Sequence, residues 1–201
     1  MGRKRGLVYG VGVNDADYTT QEYEILEGER KHKWYCPYYI KWVAILERCY
    51  SKRYHKLKPS YIGCSVCEDW KVFSKFRKWM KSQPWEGLHL DKDILFEGNK
   101  IYSPDTCVFV PQEVNAFLSI GGVNKCGLPL GVSFNKDNRR YRARCSNPFT
   151  KRTDHLGYFE SPEEAHKAWR LRKYQIAVEL SKTNTELDPR VVIALISRFR
   201  E

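Results

Sequence analysis

Residues 139–145 read RRYRARC. On an extended chain the side chains alternate between two faces. Arg140, Arg142 and Arg144 therefore fall on one face, and Tyr141, Ala143 and Cys145 on the other. One face is a row of guanidinium groups; the other can pack on a helix. The flanking segments supply what such a strand needs. LGVSFN before it and DHLGYFES after it are further short strand candidates, each set off by turn signals. SPEEAHKAWRLRKYQIAVELS then reads as a long helix, with Ser161 as cap, Pro162 as first residue and Glu164 completing a capping box. Three strands followed by a helix make a small α+β unit. A last helix begins at Asp188-Pro189, with Val192, Ile196 and Phe199 as the face that needs a partner.

The charge of the whole chain bears on that row. Among 201 residues, Lys and Arg exceed Asp and Glu by 11. Such an excess points to a polyanionic partner, nucleic acid first and an acidic membrane surface second, unless the charges merely solvate the surface. Here they cluster: Lys136, Arg139, Lys151 and Arg152 lie in the turns beside the arginine row. A guanidinium fork pairs with guanine O6 and N7 or clamps a phosphate. A small sheet laid in the major groove brings such groups to base edges. The expected partner is double-stranded DNA. No apolar run approaches the roughly 18 residues of a membrane span. MGRKRG lacks the apolar stretch of a secretory signal, and Gly6 stands where a myristoylation motif has Ser or Thr. Seven cysteines, an odd number, argue against a disulfide framework and for a reducing compartment.

The first half reads differently. Residues 1–33 form a basic arm and a lead-in of undetermined structure. PYYIKWVAILERCY has Tyr38, Trp42, Ile45 or Leu46, and Cys49 on a helical period, with Pro37 at its start. DWKVFSKFRKWMKSQP repeats the pattern with Asp69 as cap, and its aromatics read as core. Residues 88–95 read as a strand, EGNK as a turn, and 101–110 as a returning strand broken at Pro104. PQEVNAFL starts a short helix, and the glycine-rich SIGGVNKCGLP a linker. Asp91 and Asp93 share a strand face, with Lys92 opposite. They are either solvated edge charges or oxygen ligands for a cation.

Residues 127–181, through GVSFNKDNRRYRARC, LGYFESPEEAHKAW and the long helix, resemble the plant ethylene-response-factor type DNA-binding domain and its relatives in phage and mobile-element nucleases. The resemblance implies a three-stranded sheet braced by the helix, DNA contact by Arg140, Arg142 and Arg144, and Trp169 in the core. Residues 38–118 resemble phage HNH-type proteins, through Arg48-Cys49, Val66-Cys67-Glu68-Asp69-Trp70, Leu90-Asp91-Lys92 and Tyr102-Ser103-Pro104-Asp105-Thr106-Cys107. That resemblance implies a hairpin and helix holding one divalent metal, Mg2+ or Mn2+, with Asp91 or Asp93 as ligands and Asn115 at the helix position. LDKD stands where the general-base histidine belongs. His89, on the same strand face as Asp91, and His55, in a loop, are the candidates to replace it.

Cys64 and Cys67 have the spacing of a zinc knuckle. With Cys49 and Cys107 they make up a candidate structural Zn2+ site, with Cys36 able to replace any one of them; buried apolar cysteines are the alternative. Cys126 and Cys145 read as structural. The expected organisation is a lead-in over 1–33, an HNH-like module over 34–120 and a sheet-type DNA-binding domain with C-terminal helices over 121–201. The resemblances together imply a metal-dependent DNA endonuclease of phage or mobile-element type, in the cytoplasm of the host cell. The alternative is a DNA-binding regulator or host-system inhibitor on a degenerate nuclease scaffold.

Overall fold

The computed structural model of the chain describes residues 6–118 and 127–200. The start of the basic arm, residues 1–5, and residues 119–126 of the expected linker, with Cys126, lie outside the described residues. The fold is α+β and divides into two compact units, Met1–Phe109 and Val110–Glu201.

The first unit is built on aromatic packing. Helix α1 (Pro37–Tyr50) buries Trp42, Ile45, Leu46 and Cys49 on one stripe. Helix α2 (Lys52–Leu57) follows, with Ser51 Oγ accepting from the Tyr54 N–H at 3.2 Å. Strand β3 (Ser65–Val66) and a turn over Glu68–Lys71 lead to helix α3 (Phe73–Lys81). The Trp42 indole N–H donates to Trp70 O at 2.6 Å, and Trp42, Phe73, Trp70 and Phe76 stack edge-on or tilted. Asp69 does not cap α3, because the helix starts after Val72. Asp69 pairs with Lys75, and Asp15 accepts from the Ser74 N–H at 2.9 Å in the first turn of α3. The lead-in thus docks on α3, and Gly12 passes so close to Trp42 and Leu46 that a side chain there would collide with both.

Two departures from the sequence reading follow from local chemistry. The lead-in contains an antiparallel hairpin, β1 (Gln21–Leu26) and β2 (Glu29–Tyr35), turning through Glu27 and Gly28 with φ of 53° and 78°. Both positive values suit a tight hairpin turn. Almost every side chain of the hairpin is exposed, and the only apolar alternation in its strands is the short Glu22–Ile25 stretch of β1. The strand expected over 88–95 ends at Asp91: β4 is His89–Asp91. The Asp91 carboxylate accepts from the N–H groups of Asp93 (2.6 Å) and Ile94 (2.8 Å), and so offers the backbone a turn in place of a ladder. The return is split into β5 (Ile101–Tyr102), which pairs in parallel with β3, and β6 (Val108–Val110), which pairs with β4.

The second unit starts with helix α4 (Gln112–Leu118). Strands β7 (Val132–Asn135), β8 (Arg140–Asn147) and β9 (Arg152–Phe159) form one antiparallel sheet with β8 in the middle. Helix α5 (Pro162–Thr183) packs across it, and its N-cap Ser161 accepts from the Glu164 N–H at 3.2 Å. Small side chains, Val132, Ala143 and Ala165, line the contact. Trp169 lies directly on Gly131, whose φ is +79°. Helix α6 (Pro189–Phe199) buries Val191, Leu195 and Phe199, not Val192 and Ile196 with Phe199 as the spacing suggested. Both stripes have helical spacing, and packing selects the first. Among the described residues no helix is long and apolar enough to cross a membrane.

Gly131 is the tightest point of this unit. A Cβ would fall inside the Trp169 ring, at a φ that L residues avoid. Gly131→Ala is expected to cost at least about 2 kcal/mol, measured as a fall in the urea midpoint of unfolding. A fall of only a few tenths would show that Trp169 can move aside freely.

Candidate nucleic-acid interface

The faces of β8 follow the alternation. Ala143, Cys145 and Asn147 are buried; Arg140, Arg144 and Ser146 are exposed, and Arg142 is half-buried. Small residues under α5 turn the arginine face outward. Arg142 is at its centre, flanked in register by Ser133 on β7 and Tyr158 on β9. Its Nε is buried and meets no acceptor among the described residues. Arg140 is flanked by Asn135 and pairs with Glu160 at 2.7 Å. Arg144 stands opposite His155.

The adjoining turns carry the other cations. In the β7–β8 turn, Asn135 Oδ1 accepts from the Asp137 N–H at 2.9 Å, and Arg139 takes a φ of 53°. In the β8–β9 turn, Asn147 Oδ1 accepts from the Phe149 N–H at 3.0 Å, and Lys151 takes a φ of 56°. These side chains are spent on the backbone, and Lys136, Arg139, Lys151 and Arg152 are left exposed.

Two aromatic residues share the arginine face and were missed in the sequence. The His155 and Tyr158 rings lie 5.0 Å apart, and Asn135 Nδ2 is 3.5 Å from the Tyr158 hydroxyl. Strict alternation places 155 and 158 on opposite faces. The register shifts beside Ala143, where Gly157 pairs with Ala143 but His155 with Arg144, so Leu156 is one residue extra. A bulge of this kind reverses the parity of everything beyond it.

The first unit holds the remaining candidates. His89 is exposed on β4, and Asp91 is half-buried beside the turn that it caps. Asp93 lies beyond the strand, so alternation no longer governs it. Lys92, read as facing away from both aspartates, donates to both Asp93 oxygens at 2.7 Å and to Asn99 O at 2.6 Å. Lys92 is 6% exposed, so this ion pair is anchored in the unit. Asn99, another residue without a sequence signal, donates back to the carbonyls of Lys92 (2.8 Å) and Ile101 (2.7 Å) and closes the loop. His55 lies on α2 rather than in a loop, and its ring is spent on Arg48 O at 2.9 Å. Asn115 is half-buried on α4, in the second unit.

Cys49, Cys64 and Cys107 are buried in the aromatic core with Cys36, and Cys67 packs at its edge. Burial pushes the Cys49 thiol up to about 12, with Cys64 adding to the effect, and burial likewise pushes Cys107 up to about 12. Among the described residues no group of three or more His, Cys, Asp or Glu side chains is arranged to hold a metal ion.

The role of Asp91 as a turn cap can be measured. Asp91→Ala removes the acceptor for two N–H groups and is expected to cost about 1–2 kcal/mol in urea unfolding. Asp91→Asn keeps an oxygen there and is expected to cost less than half as much. Equal losses would contradict the capping role. No family model, curated protein or solved structure matches this chain.

Proposed function

We propose that the protein binds double-stranded DNA with the outer face of the β7–β8–β9 sheet. The observation that carries this reading is the row Arg140, Arg142 and Arg144 on the middle strand, turned away from α5. Alternate residues on a strand are about 6.8 Å apart, close to two base steps at about 3.4 Å each. Successive arginines can therefore meet successive sites along one DNA strand. Arg142 serves as the base reader, because it stands at the centre of the face, in register between Ser133 and Tyr158. Lys136, Arg139 and Lys151 on the turns and Arg152 at the start of β9 serve as phosphate contacts, fixing register without reading sequence.

A second reading adds cleavage with Mg2+ or Mn2+. What favours it is the order β4, β5, β6, α4 over residues 89–118, with exposed His89 and the pair Asp91 and Asp93 at its start. Cleavage needs Asp93 released from Lys92 and Asp91 from its turn, so it requires a rearrangement of that loop. Zn2+ on Cys49, Cys64, Cys67 and Cys107 belongs to this reading as a structural site.

Duplex binding is expected to weaken steeply with salt, because phosphate contacts release counterions. Arg142→Ala is expected to cost about 1–3 kcal/mol and relax preference at one base pair, measured by fluorescence anisotropy on a panel of duplexes. Glu160→Gln frees Arg140 and is expected to tighten binding. If the triple alanine variant of Arg140, Arg142 and Arg144 binds as the wild type does, the reading fails. A supercoiled-plasmid assay with Mg2+ or Mn2+ separates the two readings. Nicking that Asp91→Asn abolishes supports the second; binding without nicking leaves the first alone.

A further inference from the structure

Lys173, in the middle of α5, is 8% exposed. Its ammonium donates to Phe117 O at 2.9 Å and lies 3.8 Å from the centre of the Phe117 ring. Trp169 and Phe199 stand 5.7 Å and 5.4 Å away. It forms no ion pair among the described residues. Burying a charged lysine without a carboxylate is costly, and an aromatic cage offsets only part of the cost. Burial accordingly lowers the pKa of Lys173, against a smaller opposing effect of Cys145.

The same lysine lines a groove of about 800 Å³ within the second unit. The rim carries Arg144, Lys151 and Arg152, all exposed, and Glu113 is the one carboxylate among its described lining residues. Three cations on the rim and one in the floor outweigh that single acid. Arg144 belongs to both the outward arginine row and this rim. A polyanion lying along the row has a continuous cationic path into the groove.

We propose that this groove takes a backbone phosphate of the nucleic-acid strand bound on the sheet, with Lys173 as its buried partner. The proposal rests on the DNA-binding reading and adds a contact that does not touch bases. A phosphate supplies the acceptors that the Lys173 ammonium and the Arg144 fork lack. A phosphate contact positions the strand without reading its sequence. The groove therefore contributes affinity and register, and the centre of the sheet contributes discrimination.

Anisotropy with mixed-sequence and preferred duplexes over a range of KCl concentrations tests this. Lys173→Met keeps the stem in the aromatic cage and removes the charge. It is expected to weaken every duplex about five- to tenfold and to flatten the slope of log K against log salt by about one. Glu113→Lys, at an exposed position of the groove lining that has no part in the sheet reading, is expected to tighten every duplex and steepen the slope; it decides the matter if Lys173→Met does not fold. Arg142→Ala, in contrast, is expected to change preference among duplexes. Wild-type affinity and slope in both groove variants would overturn the proposal while leaving the sheet reading intact. If the wild type binds no duplex, the DNA reading falls. Inorganic phosphate, titrated against the lysine ammonium signals in NMR, then decides the groove. A shift at Lys173 would make it a site for a small phosphorylated ligand and overturn the strand as occupant; no shift would overturn the site altogether.

Discussion

The contact of Trp169 with Gly131 sets the geometry of the second unit. It brings α5 within reach of the sheet only because residue 131 has no side chain and Val132, Ala143 and Ala165 are small. Once the helix covers that face, the parity of β8 leaves the arginines nowhere but outside. Six guanidinium and ammonium groups on the same strand and its turns remain exposed for the same reason: Arg140, Arg144, Lys136, Arg139, Lys151 and Arg152. Arg142, the half-buried exception, stands in register between Ser133 and Tyr158 on the flanking strands. Packing on one face and an outward cationic row on the other are thus consequences of one close approach.

The first unit shows a different economy of charge. Asp91 and Asp93 invited a metal reading as a pair on one strand face. In the folded chain each has a structural partner: backbone N–H groups for Asp91 and a buried lysine for Asp93. A carboxylate near strand ends competes with the ladder for backbone donors, and here it wins. The cysteines, too, lie in packed surroundings: Cys64 is buried in the aromatic core with Trp42 and Trp70, and Cys67 packs at its edge.

The reach of the sequence differs from element to element. Helices α1 and α5 and the three strands β7, β8 and β9 were legible because proline, serine caps and period-two patterns mark them independently of the rest of the fold. The β1–β2 hairpin was not, because it buries no side chain and its alternation is confined to Glu22–Ile25. The end of β4 depended on one carboxylate choosing a turn over a strand. The face of α6 depended on what it packs against, and two stripes of helical spacing were available. At the candidate site the arginine row was readable, whereas His155 and Tyr158 were hidden by a one-residue bulge. Lys173 was hidden by its setting: a lysine in a helix gives no sign that its ammonium will be buried against aromatic rings.

The claim at the centre of this account is that DNA meets the outward face of β8. Arginine side-chain NMR, following the Nε–H signals during titration with a mixed-sequence duplex at low salt, tests it most directly. The account predicts that the signals of Arg140, Arg142 and Arg144 shift or broaden first, while that of Arg48, half-buried in the other unit, stays in place. Perturbation confined to arginines of the first unit, with the three on β8 unmoved at saturation, would contradict it.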